Sequence, residues 1–401
     1  MTGVASFIYE VAWIRMLSLV LGSSTHAFEL MLSALILGIA LGAYWVRRRI
    51  DGYQNLIFVL GVVLALKGIL AIATLPLYDY TFHAMQGVVN ALSKTEAAYS
   101  GFNLFSHAIS MAIMVPSAFF AGMSLPIITT YLLKQQYGES AIGKVYAWNT
   151  VGAIVGVGIA VHIGLSVLGL RNLIIAAAVL DTAIAVALLW RGRATRPWLM
   201  PLATSVSVVA LVGALVFVKF DALNMASGVF RDGKFYTADS AKVVFSKDGK
   251  TAIINVVSIN DGMLTISTNG KTDAALQTRP GANPSSDEYT MVLAAALPLA
   301  YRPEAKHIAN IGFGSGLTTH AVLGSPKVEV VDSIEIEPAM VEGARLFGNL
   351  VERAYKDARS NIVIDDAKSF FASRQQTYDI IISEPSNPWV SGVAGLFSRE
   401  F

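Results

Sequence analysis

Cysteine is absent from this 401-residue chain, which excludes disulfides, thiolate metal sites and a cysteine nucleophile, and leaves the redox compartment open. Charge is scarce as well. Only 14% of residues are charged and 54% are hydrophobic, whereas an ordinary soluble domain carries about 25% charged residues. The formal net charge is only +2. With no basic stripe carrying interleaved aromatics, nucleic acid is not expected as a partner. Six histidines are scattered without ligand-like spacing, so no metal is expected either.

The charge deficit is uneven. Long apolar runs fill the chain to about Phe220, and charge and turn residues return afterwards. A bilayer core takes about 20 apolar residues per helical span. About seven candidates are visible, at 3–22, 27–46, 55–77, 102–133, 143–168, 171–190 and 198–218. The first is too long and too aromatic for a signal-peptide core and is expected to stay. The fourth holds Pro116 and Pro126, so a kink, or a break into a span and a re-entrant piece, is expected. Gly38 and Gly42, like Gly152 and Gly156, put two small residues on one helix face for close backbone approach. Residues 79–100 are too polar to span, yet Phe82, Met85, Val88, Val89 and Leu92 recur at helical spacing, which predicts a segment lying along the interface.

Glu10, Arg15, Lys67 and Asp181 fall in or near these spans, where an unpaired charge is costly, so each should have a partner. Glu10 and Arg15 are about 140° apart around a helix and should pair with other helices. A transport pathway and structural ion pairs both remain open as explanations. Arg47, Arg48 and Arg49, then Lys134 and Lys144, then Arg191, Arg193 and Arg196 occupy alternate loops, so the positive-inside rule puts all three in the cytoplasm. Seven spans then carry the C-terminal half to the opposite side, whereas an eighth crossing, or a last segment that does not cross, would keep it inside.

Residues 241–276 read as strands and turns. Lys242 to Phe245 runs into Lys247-Asp248-Gly249-Lys250, a hairpin signal, and Thr251 to Val257 returns; Asn260-Asp261-Gly262 suggests a second hairpin, with Met263 to Thr268 as its return. Pro280, Gly281 and Pro284 separate this β module from a helix starting near Ser286 or Asp287. Strand and helix then alternate, with strands at 307–311, 328–336, 361–364 and 378–383. Such alternation means a parallel, doubly wound sheet with ligands at the carboxyl ends of its strands.

The polar residues of interest lie at those ends. Gly312, Gly314 and Gly316 would let backbone approach a nucleotide-like ligand. Glu335, at the tip of the second strand, can accept from both ribose hydroxyls. Asp366 can accept from an exocyclic amine such as adenine's, and the neighbouring Asp365 reads as a solvated cap. A carboxylate, two prolines and an amide, Glu384-Pro385-Ser386-Asn387-Pro388, follow the fourth strand.

In order, GFGSG, IEIE, DDAKSFF, YDIIISEPSNPW and GLFSREF resemble the spermidine synthase (polyamine aminopropyltransferase) family, over about residues 240–401. The apolar half, with SFIYEVAWIR and YAWNTVGAIVG, resembles the membrane portion of bacterial proteins in which such a domain is fused to a transporter-like bundle. The implied fold is a multi-span α-helical membrane bundle (1–220), a linker and small β-hairpin module (221–285), and an α/β Rossmann-like domain of the S-adenosylmethionine-binding type (286–401). The resemblance implies S-adenosylmethionine or its decarboxylated form as co-substrate, lined by Gly312, Gly314, Ser315 and Gly316. Glu335 would hold its ribose, and Asp366 with Ala367 would meet its adenine. Glu384 and Asn387 fall in the family's acidic catalytic loop, where a carboxylate removes a proton from the attacking amine.

There are departures from the family pattern. Ser315 and Asn387 stand where acids are usual, and neither binds a cationic amine by charge. The family's sheet also runs on beyond this loop, so the domain is expected to be incomplete as given. A membrane-integral enzyme transferring an aminopropyl group to a small amine leads. An S-adenosylmethionine-dependent methyltransferase and a transporter-like protein with a nucleoside-sensing domain are the alternatives. The bilayer is the expected setting, in a bacterial inner membrane, and the oligomeric state is undetermined.

Overall fold

Apolar runs of 20 residues or more cannot leave backbone polar groups unpaired in a dry environment, and helix satisfies them within the segment. The computed structural model describes residues 1–92, 95–192, 198–383, 388–390 and 392–401. The apolar half is built of helices joined by short connections: α1 (Thr2–Leu21), α2 (Thr25–Arg47), α3 (Leu56–Ala91), α4 (Glu96–Lys134), α5 (Ser140–Ile159), a π-turn (Ala160–Gly164), α6 (Leu165–Gly192) and α7 (Leu199–Phe217). Among the described residues, six helical stretches are long and apolar enough to cross a membrane, one of them the 53-residue run Ser140–Gly192.

That run joins the two separate spans expected at 143–168 and 171–190. It is interrupted at Gly169, whose φ of 74° and ψ of 168° are not helical. Glycine reaches that φ without a Cβ penalty. A straight helix of this length would extend about 80 Å, against about 30 Å of bilayer core, so the run holds enough helix for two crossings.

Two local expectations are corrected. Residues 79–91 do not form a separate surface segment; α3 continues through them, with Phe82 and Met85 buried. Their apolar positions continue the face that α3 already buries. Nor does α4 break: Pro116 and Pro126 both lie inside it. The Thr129 hydroxyl donates to the Leu125 and Pro126 carbonyls within that helix, just after the turn in which Pro126 lacks an N–H to give.

The glycine pairs do bring backbones together. An added Cβ at Gly38 would meet the Ala118 side chain at 2.7 Å, one at Gly42 would overlap the Phe119 carbonyl, and one at Gly122 would overlap backbone at Ile39. Gly156 likewise lies against the Val4 backbone. Gly42→Val should therefore lower the melting temperature of the purified protein, at a cost of about 3 kcal/mol for overpacking backbone. Gly87→Ala, where an added Cβ meets nothing within 4 Å, should leave it nearly unchanged. Equal melting temperatures for the two variants would refute close packing of α2 on α4.

Lys67 and Asp181 pair with each other across α3 and α6, at 3.0 Å and with exposures of 1% and 0%. Lys67 Nζ also donates to Ser6 Oγ at 3.1 Å. Glu10 and Arg15 are partly buried.

Two compact units make up the chain. One comprises Met1–Leu21, His26–Asp221 and Phe230–Gly233; the other comprises Gly22–Thr25, Ala222–Val229 and Lys234–Phe401. The short helices α8 (Ala222–Ala226) and α9 (Val229–Asp232) lie in the connecting stretch.

In the second unit, β1 (Ala241–Asp248), β2 (Ile253–Ile259), β3 (Met263–Thr268) and β4 (Lys271–Gln277) form an antiparallel meander. Its third turn is Asn269-Gly270, both at positive φ, which suits a two-residue hairpin loop. Ser285 caps α10 (Ser286–Tyr301) in a reciprocal capping box with Glu288, which fixes where that helix starts. A second, parallel sheet follows, in the order β7-β6-β5-β8: β5 (His307–Ile311), β6 (Val330–Glu335), β7 (Ser360–Ile364) and β8 (Ile380–Ser383). The connections carry α11 (Leu317–Val322), α12 (Pro338–Ala344), α13 (Glu352–Lys356) and α14 (Ala367–Ser373).

The two inner strands, β5 and β6, are buried on both faces, whereas Ile364 of β7 and Ile381 of β8 are exposed. Ile308, Val331, Ile380 and Ile382 pack on one side, and Ala309, Ile311, Ile334 and Phe370 on the other. Double burial is why β5 reads as a nearly continuous apolar run.

Candidate functional site

Parallel register brings four strand ends side by side. Ile311 pairs with Ile334 and with Ser383, and Glu335 pairs with Ile364. The chain leaves β5 through Gly312, Gly314 and Gly316 at φ of 88°, 54° and 87°, a region that penalises any Cβ. Gly312 N–H donates to the Ile334 carbonyl at 2.9 Å, which ties the turn to the neighbouring strand. At Gly316 an added Cβ would strike the Phe313 ring, whereas at Gly314 it would meet nothing within 4 Å. The turn is therefore packed behind and open in front.

Glu335 is the electrostatic feature of this edge. It is 8% exposed. Its Oε2 accepts from Phe313 N–H and its Oε1 from Glu337 N–H, both at 2.9 Å. Burial pushes its pKa up from the usual carboxylate range; those two N–H bonds oppose the shift, and the carboxylates of Asp273 and Glu337 add to it. Each oxygen keeps a further acceptor position for a hydroxyl pair. Asp366, at the next strand end, caps α14: its Oδ2 accepts from Ser369 N–H at 2.9 Å and Ser369 Oγ at 3.0 Å. The capping role therefore belongs to Asp366 rather than Asp365, because Asp366 immediately precedes the first helical residue. Ala367 is buried in the core against the sheet, so what it presents to a ligand is backbone.

Ser315 turns the other way. It is fully buried, and its hydroxyl faces the Met291 sulfur at 3.2 Å while accepting from Leu317 N–H at 3.3 Å. The structure thus brings together Gly312, Gly314, Gly316, Glu335, Asp366 and Ala367, and directs the Ser315 side chain inward. Glu384 and Asn387 lie outside the described residues; the last described residue before them, Ser383, ends β8 at the same edge.

A contribution from Glu337 was missed. It reads in sequence as one more acid near a strand end, yet it is 3% exposed and caps α12 with Pro338 at the first helical position. The Glu-Pro pair was the available signal, since proline is favoured just inside a helix start.

Comparison with known proteins gives three findings. A family model, the spermine/spermidine synthase domain, matches residues 287–401. Polyamine aminopropyltransferase 2 of Streptomyces coelicolor is 26% identical over 412 residues, covering 98% of this chain and 68% of that protein. Polyamine aminopropyltransferase of Clostridium beijerinckii is 31% identical over 105 residues, and putrescine N-methyltransferase 2 of Nicotiana attenuata is 33% identical over 106. Each of these two shorter matches covers 26% of this chain, and they span 37% and 28% of those proteins. Among solved structures, spermidine synthase of Thermotoga maritima gives a TM-score of 0.32 at 22% identity, covering 35% of this chain and 47% of that one.

Proposed function

Because residues 287–401 match the spermine/spermidine synthase domain model, we propose that this chain is a membrane-integral aminopropyltransferase. Its co-substrate is decarboxylated S-adenosylmethionine, which carries the aminopropyl group and leaves as methylthioadenosine when the carbon–sulfur bond breaks, and its acceptor is a small amine. The observation that carries this reading is the buried Glu335 carboxylate beside the open front of the glycine turn. A carboxylate held by two N–H bonds, with acceptor capacity left, suits a ribose diol, and the space at Gly314 suits the rest of a nucleoside.

The co-substrate supplies a sulfonium that activates the neighbouring methylene carbon towards an amine. The chain's own residues bind and orient: Glu335 takes the ribose, and Asp366 with the backbone at Ala367 takes the adenine edge. Glu384 removes the proton of the attacking amine, and Asn387 accepts a hydrogen bond from it. An uncharged amine must attack, so a nearby carboxylate serves as base. The apolar helices are proposed to span the bilayer, which supports access to amines in or near the membrane.

Methyl transfer is the second reading. One observation favours it, the 33% identity to a putrescine N-methyltransferase.

The deciding measurement offers purified full-length protein S-adenosylmethionine and its decarboxylated form separately, each with mixed amines. Methylthioadenosine release from the decarboxylated form is expected. S-adenosylhomocysteine would instead identify methyl transfer, and binding with neither product would identify a sensor.

A further inference from the structure

Glu335 and Glu337 are two residues apart at the end of β6, yet they bond to different parts of the unit. Glu337 Oε2 accepts from Thr251 N–H at 2.7 Å, Thr251 Oγ–H at 2.8 Å and Ala252 N–H at 3.3 Å, while its Oε1 accepts from Ala339 N–H at 3.1 Å. Thr251 and Ala252 belong to the β1–β2 hairpin, far away in sequence. At its other end, Glu337 donates its own N–H to Glu335 Oε1 at 2.9 Å. One residue therefore connects the hairpin turn to the carboxylate assigned to the ribose.

The same hairpin holds α12 at two further places. Lys247 forms an ion pair with Glu342. Gly343 lies so close to Phe245 and Val256 that an added Cβ would come within 3.1 to 3.2 Å of their side chains. Helix α12, which starts directly after Glu337, is thus fixed to the hairpin along its length. A buried carboxylate with four donors cannot shift without leaving those donors unpaired, so the Glu337 backbone is located by the hairpin rather than by β6 alone.

The geometry points to Glu337 as a positioning residue: its side chain reads the location of the β1–β2 hairpin, and its N–H fixes the Glu335 carboxylate for nucleoside binding. This rests on the nucleoside reading given above. The β module then acts as one wall of the nucleoside site's support, although Thr251 and Ala252 would touch no ligand. A tie that only joined two subdomains would change stability without changing nucleoside affinity selectively.

Gly249 provides the probe. It lies in the hairpin turn outside the left-handed region, and a Cβ there would overlap the Glu337 carboxyl group. Gly249→Ala therefore displaces that carboxylate without straining the backbone or altering a proposed ligand contact. In full-length protein, the dissociation constant for methylthioadenosine should rise about tenfold, with the KM for the amine unchanged. Amide hydrogen exchange at Phe313 and Glu337 should quicken in the unliganded protein. Thr251→Val, which removes one donor and keeps the shape, should move both readouts the same way by a smaller factor, and it keeps the test open if Gly249→Ala does not fold. Unchanged nucleoside affinity and unchanged exchange would overturn the assignment, as would an equal change in amine KM. If the unaltered protein does not bind methylthioadenosine, the nucleoside reading fails; the exchange rates still decide whether Glu337 governs the Glu335 hydrogen bonds.

Discussion

Replacing Glu335 with Gln should weaken binding of methylthioadenosine about a hundredfold, as measured by titration calorimetry on the full-length protein. The carboxylate accepts two backbone N–H bonds in the structure and is assigned two more from the ribose. An amide has one oxygen for these donors and places an NH2 where an acceptor is needed. Hydrogen bonds to charged groups contribute about 1.5–3 kcal/mol each, and roughly 3 kcal/mol lost corresponds to about two orders of magnitude in affinity. An affinity within threefold of the unaltered protein would remove Glu335 from the site.

A pH dependence accompanies this result. Burial raises the Glu335 pKa above the ordinary carboxylate value, so between the two values the folded state binds more protons than the unfolded state. Stability then falls as pH rises through that interval. The contribution is fully present below the unfolded pKa and lost above the folded one. Ligand binding runs the other way, because only the ionised carboxylate can accept from all four donors. Relative to Glu335→Gln, the unliganded melting temperature should decline across this window while the shift produced by methylthioadenosine grows. Parallel trends would contradict the assigned role.

The second large effect belongs to the helical unit. Lys67→Ala should destabilise the purified protein by about 3–5 kcal/mol, the usual result when one member of a buried ion pair is removed. Asp181 is fully buried, so its charge would be left in an apolar interior. The double variant Lys67→Met, Asp181→Leu should recover most of the loss, since burying two apolar side chains restores packing without a lone charge. Thermal unfolding of the single and double variants checks this. A single variant as stable as the parent would mean the pair contributes nothing to the fold. Recovery in the double variant would favour the structural explanation of these buried charges over a transport pathway, which has no reason to tolerate the loss of both.

Several elements could be read from local pattern because their causes are local. The strand His307–Ile311 shows as an apolar run because a parallel strand is buried on both faces. The start of α10 shows because Ser285 and Glu288 satisfy each other's orphan donors within one turn. The strand-end position of Glu335 follows from counting along β6, and the glycine turn shows because positive φ selects glycine. The inward turn of Ser315 had no such signal. Its direction depends on Met291, which another element supplies.

The chain's sequence determined by itself that an apolar helical half precedes an alternating α/β half, and that a glycine turn and two acids sit at adjacent strand ends. Periodicity and turn chemistry are properties of neighbouring residues, so they survive without knowledge of the fold. Only the tertiary structure decided that Lys67 meets Asp181, that Gly42 touches the Phe119 backbone, and that Glu337 ties the hairpin to the Glu335 carboxylate. Each of these joins residues tens to more than a hundred positions apart. Which partner a buried charge or a glycine face meets is set by how elements pack, and that is not written in any single stretch of chain.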